Sequence, residues 1–104
     1  MEEKQLTELY KFVRVDLSEK YEQKVDIEES EIVSGVFGQD KINKAIKITF
    51  IPEEATVENI EQKLATDLYK FGYNMDVPTF RNPSIERDVW LGKIRYKLVY
   101  VDGS

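Results

Sequence analysis

The stretch VWLGKIRYKLVYV, residues 89–101, decides how the second half of this chain is built. In steps of two it places Ile94, Tyr96, Leu98 and Tyr100 on one face. Lys93, Arg95 and Lys97, followed by Val99 and Val101, fall on the other. That is the period of a half-buried strand. It reads as one long strand in which Gly92 marks a bulge. One face belongs to a core. The other carries three cations in a row, in a protein with a net charge of −5.

Upstream of it, TFRNPSIERD (residues 79–88) reads as a loop punctuated by Asn82-Pro83. YNMDV (73–77) puts Tyr73, Met75 and Val77 on one face of a short strand that Pro78 ends. In TVENIEQKLATDLYKFG (56–72), Val57, Ile60, Leu64, Leu68 and Phe71 form a helical stripe. Thr56 suits its N-cap and Gly72 its C′ position. AIKITFI (45–51) alternates Ile46, Ile48 and Phe50 with Lys47 and Thr49, a half-buried strand stopped by Pro52.

The front of the chain has a helical period. Leu6, Leu9, Tyr10, Val13, Leu17 and Tyr21 recur at spacings of three and four, predicting a helix over about residues 5–22. A rival strand through KFVRVDL (11–17) alternates Val13, Val15 and Leu17 but covers fewer residues. KVDIEESEIV (24–33) reads as a short edge strand, and SGVFGQDKINK (34–44) as a turn or mobile loop around Gly35 and Gly38. The expected fold is a single α+β domain over residues 1–104. One mixed or antiparallel sheet of three to four strands carries two helices on one face, in the order α-(β)-β-α-β-β. A parallel pairing of 45–51 with 73–77 requires a right-handed crossover.

A chain of 104 residues supports one core. No apolar run approaches a membrane span, and the acidic opening MEEKQLTELYKF lacks the pattern of a signal peptide, so a soluble protein of the cytoplasm is expected. The acidity is confined: residues 1–34 hold ten acids and five bases, whereas residues 35–104 hold ten of each. This balance argues against nucleic-acid binding, which needs a cationic footprint. The tyrosines also point away from the Lys/Arg row, which removes a single-strand stacking platform.

Without histidine or cysteine the chain lacks the commonest general base and the strongest nucleophile. It also lacks a phosphate loop and a zinc-protease motif. No enzyme, metal site or cofactor is expected. Three features remain as candidate protein-contact residues. The acids Glu28, Glu29 and Glu31 read as a solvated acidic turn, with a hard cation as the sharper alternative. Val36 and Phe37, between glycines, read either as a loop tucking an aromatic into the core or as an apolar finger for a partner. Lys93, Arg95 and Lys97 read either as the wet face of an antiparallel sheet or as a surface meeting the acidic front of another copy.

The segments AIKITFIPEE, NIEQKLATDLYKF, YNMDV and GKIRYKLVYV, with LTELYKFVRVDL ahead of them, together resemble small phage tail terminator or tail-completion proteins. The resemblance covers about 60 residues from Ala45 onward and is one of pattern, so it carries over no site residue. Between residues 24 and 44 the chain departs from the fuller pair of strands typical of that family. The resemblance implies a non-enzymatic structural protein, monomeric or weakly associated when free. On the end of a tail tube it forms a ring, commonly a hexamer, facing the head connector. Its partners are then itself, tube and connector proteins, with no nucleic acid or membrane. Its location is the host cytoplasm and then the virion. The alternative from the residues alone is a small acidic regulatory module that engages one host protein through its front surface.

Overall fold

The computed structural model describes residues 1–36, 39–52 and 58–101. A leading helix is made of α1 (Glu3–Lys11), a wider π-helical segment (Phe12–Leu17) and α2 (Ser18–Lys20), with helical backbone angles across both junctions. The strands β1 (Val25–Val36) and β2 (Gln39–Phe50) follow, then α3 (Ile60–Asn74), β3 (Ser84–Trp90) and β4 (Lys93–Val101). The four strands form one sheet in the order β1-β2-β4-β3, antiparallel at every pairing. The α+β class, four strands and two principal helices are as expected.

Four boundaries differ from the sequence reading, each for a physical reason. Residues 34–36 and 39–44 are strand, not loop: Ser34 pairs with Lys41 and Val36 with Gln39, a ladder of backbone bonds that needs no apolar alternation. The proposed strand at 73–77 is the end of α3 and its turn, so no parallel pair exists among the described residues. Part of the expected loop is β3, paired from Ser84 opposite Val99 to Trp90 opposite Lys93. Gly92 is consequently not a bulge. It shares a two-residue hairpin turn with Leu91, at φ of 78° and 51°. Positive φ at both positions is the type I′ arrangement that matches strand twist.

Leu91 occupies that turn at a cost, since a side chain crowds the following carbonyl in the left-handed region. It is also 87% exposed, so little packing compensates. Leu91→Asn would create the favoured Asn-Gly pair. The expected gain is about 0.5–1 kcal/mol, read as a higher thermal midpoint. A lower midpoint would show that Leu91 packs more than its exposure suggests.

The leading helix explains its own irregularity. Leu9, Val13, Leu17 and Tyr21, all buried, repeat every four residues. On an α-helix such a repeat drifts by about 40° per step. The wide turn at Phe12–Leu17 rotates less per residue, offsets that drift and keeps the stripe on the sheet. The helix ends with Glu22 left-handed at φ 53°, while Gln23 N–H donates to Ser18 O and Glu22 N–H to Glu19 O. α3 ends in the same way, with Asp76 at φ 56° and Val77 N–H donating to Gly72 O. Gly72 is therefore buried inside the last turn and is not its C′ residue. Asn59 stands at the N-cap position, and Thr56 lies outside the described residues.

Both helices cover one face of the sheet. Leu9, Val13, Leu17, Ile60, Leu64 and Leu68 meet Ile27, Ile46, Ile48, Phe50, Leu98 and Tyr100 in a single buried cluster. Phe80, from the turn after α3, closes it with its ring edge-on to Tyr100 at 5.0 Å. Asp67 of α3 holds the helices together by accepting from Lys20 Nζ at 2.9 Å and from the Tyr21 hydroxyl. Burial first, then the Asp67 carboxylate, pushes the Tyr21 hydroxyl far above its ordinary pKa. It stays a donor throughout the neutral range.

Candidate functional site

The cation row lies on the sheet face opposite the helices, with Lys47 beside it as the strand period implies. Pairing across the sheet supplies each of three cations with an acid. Glu28 of β1 stands opposite Lys47, Glu86 of β3 opposite Lys97, and Asp88 opposite Arg95. The last pair is bidentate: Arg95 Nε donates to Asp88 Oδ1 at 2.9 Å, and a terminal nitrogen donates to Oδ2. That bonding holds the Asp88 carboxyl below its ordinary pKa and raises the Arg95 guanidinium. The guanidinium also lies over the Trp90 ring at 4.5 Å. Lys93 stands opposite Trp90 rather than an acid. The face is thus largely neutralised from within the chain.

The three candidate acids divide between faces. Glu28 shares the cation face. Glu29 and Glu31, by strand alternation, lie on the helix side and are exposed. Among the described residues no group of three acidic side chains comes together to hold a metal ion. Val36 is the last residue of β1, and Phe37 lies outside the described residues.

What the elements do bring together is a pair of sheet edges and an arm. Among the described residues β4 pairs with β2 from Phe50 to Ala45, where Ala45 opposes Val101. Beyond that, among the described residues, 39–44 pair with β1 alone and form a two-stranded arm. Six residues of strand carry it roughly 20 Å from the four-stranded body. Val33 and Ile42 face each other across the arm, 64% and 62% exposed. Both outer strands, β1 and β3, are edges.

The edge of β1 is sealed over only part of its length. Val25 N–H donates to Ser18 Oγ at 2.9 Å, and that hydroxyl lies 3.2 Å from Val25 O. Arg14 donates to Ile27 O at 3.1 Å, while Ile27 N–H donates to Asp26 Oδ1 at 2.8 Å. Arg14 also pairs with Asp26, whose carboxyl is raised by burial but held below its ordinary pKa by the hydrogen bonds from Arg14 and Ile27 N–H together with the Arg14 and Lys24 charges. These contacts identify the odd-numbered residues of β1 as those whose backbone points away from β2. Val25 and Ile27 are covered. Glu29, Glu31, Val33 and Gly35 continue the same edge, and among the described residues no side chain meets their backbone groups.

Among the described residues nothing covers the other edge. Every residue of β3 is exposed. Trp90 and Lys93 close the hairpin, so Ile85, Arg87 and Val89 direct their backbone groups outward. These three point to the helix side but lie beyond the helices, with Ile85 47% and Val89 74% exposed. Arg87 lies over the Tyr96 ring at 5.1 Å.

Sequence reasoning missed β3 because both its faces are wet, which removes the burial signal. The available cue was the pair of alternating runs separated by the two residues Leu91-Gly92. Among the described residues no helix is long and apolar enough to cross a membrane. Comparisons with protein families, curated proteins and solved structures returned no match.

Proposed function

We propose that this chain is a non-enzymatic assembly protein that joins copies of itself into a ring. It is of the kind that caps a phage tail tube and meets the head connector. The observation that carries the reading is the open edge at each end of one sheet, with an arm that bears exposed Val33 and Ile42 extending one of them. Two different open edges on one molecule favour head-to-tail contacts, which close into rings when the rotation per copy permits. The full pair of strands over 25–50 adds support, since it is the feature whose apparent absence set the chain apart from tail terminators.

The cation face already has acids opposite Lys47, Arg95 and Lys97, so the strand edges are the better subunit contact. Light scattering coupled to size exclusion, at millimolar protein and two salt concentrations, tests the reading alongside negative-stain imaging. A discrete ring-sized species is expected. A strict monomer that captures one soluble host protein would place the chain among regulatory binding modules instead.

A further inference from the structure

We infer that the ring contact is a strand pairing between the outer part of β1 in one copy and β3 in the next, with Arg87 opposite Glu31. The inference rests on the assembly reading and gives that contact its surface and register.

Three observations select it. The first is hydrogen-bond parity. Outward backbone groups fall on odd residues of both edges, Glu29 to Gly35 on one and Ile85 to Val89 on the other. Antiparallel addition of β3 to β1 can then form complete pairs while keeping both helix layers on one side. The second is the seal at Val25 and Ile27, which excludes registers that need those two backbone groups.

The third is charge. With Arg87 opposite Glu31, Ile85 meets Val33, Val89 meets Glu29, Glu86 meets Ile32 and Asp88 meets Ser30, so no like charges face each other. Moving β3 two residues toward the sealed end sets Asp88 against Glu28. Moving it two residues outward puts Val33 opposite Arg87 and loses the ion pair. Like charges directly opposite destabilise a ladder, and opposite charges stabilise it. Glu31 stands opposite Lys44 in its own arm and Arg87 opposite Tyr96, and among the described residues neither makes an ion pair within 4.0 Å.

The same rule disfavours symmetric pairing. Two β3 strands centred on Arg87 place Arg87 on Arg87 and Glu86 on Asp88. The neighbouring registers place Glu86 on Glu86 or Asp88 on Asp88. β1 carries four acids and no base, so two β1 strands repel as a whole. The occupant of each edge is therefore the other edge of a second copy.

Engineered disulfides test the register, because the chain has no cysteine of its own. Residues facing each other at a non-hydrogen-bonded position have Cα atoms about 4.5 Å apart, within disulfide reach. Ile32→Cys and Glu86→Cys occupy such a position. The two variants are made separately, checked for native circular dichroism, mixed and oxidised. The covalent mixed dimer should exceed that from a Ser30→Cys and Glu86→Cys mixture by about tenfold, since the control is displaced by roughly 7 Å along the strand.

Charge exchange supplies the second arm. Arg87→Glu or Glu31→Arg alone should weaken self-association about three- to tenfold. The two together in one chain should restore it to within about twofold. Rings that form with no cross-linking preference and no rescue would overturn the register while leaving the assembly reading intact. An absence of both oligomer and cross-link at millimolar protein would overturn both.

Discussion

Phe80→Ala should remove about 3–5 kcal/mol of stability, the cost of truncating a buried aromatic. Phe80 is 2% exposed and follows a turn that the sequence presents as loop. Its ring meets Tyr100 edge-on at 5.0 Å and Phe71 at 6.4 Å, linking β4 to the end of α3. A domain of this size holds about 5–15 kcal/mol in total, so the variant approaches half-unfolded behaviour at moderate temperature. Urea titration reads the loss directly, and the thermal midpoint should fall by about 15 °C or more. Phe80→Leu keeps most of the volume and should cost far less. Equal losses from both would mean that the ring contacts, rather than the filled space, carry the effect.

The second large effect reverses a familiar sign. Replacing glycine by alanine inside an exposed helix normally gains about 1 kcal/mol. At Gly72 the expected result is a loss of about 1–3 kcal/mol, from overpacking. A Cβ there would sit 2.7 Å from the Val77 carbonyl oxygen and 3.1 Å from a ring carbon of Phe80. The carbonyl is backbone, and Val77 N–H is already bonded to Gly72 O at 2.7 Å, so the turn has little freedom to retreat. Chemical denaturation of Gly72→Ala checks the sign. A gain in stability would show that residues 75–80 give way, and that the close approach is not what requires glycine.

Those two residues also mark where the sequence could be read and where it could not. The helices and the strands at 45–51 and 93–101 were legible because each has one buried face, and burial is what writes a period into a sequence. Tyr100 was assigned to the core for that reason, and it is 1% exposed. Tyr69 lies off the α3 stripe and is 51% exposed. Residues 39–44 and 84–90 carry no such period. Hydrogen bonding holds the arm and the outer hairpin, and backbone ladders leave little trace in side-chain chemistry.

Gly72 shows a different limit. A glycine near the end of a periodic helix suggests a left-handed terminator, but Asp76 fills that role here. The need for glycine comes from Val77 and Phe80 folding back onto the helix, a tertiary demand invisible to local pattern. Of the candidate contact residues, the cation row was placed on the correct face. Its neutralising acids depend on the strand order β1-β2-β4-β3, which no single stretch of sequence contains. Glu31 was singled out as one of a trio of acids. Its place on the uncovered part of the β1 edge emerges only once Ser18 and Arg14 are seen to cover the residues before it.

The wide turn at Phe12–Leu17 has a consequence for how this chain can change in length over generations. Losing one residue there would let the wide turn close into an ordinary α-helix, since five residues at about 100° each turn nearly as far as six at the wider pitch, and Leu9 would stay on the sheet side with Leu17 and Tyr21. The arm sets a different rule. Residues added in matched pairs, one to each strand at its tip, would lengthen it without disturbing any register nearer the body, whereas a single added residue would flip the faces of the strand that received it. The helix can give up a single residue, whereas the arm changes length only in matched pairs.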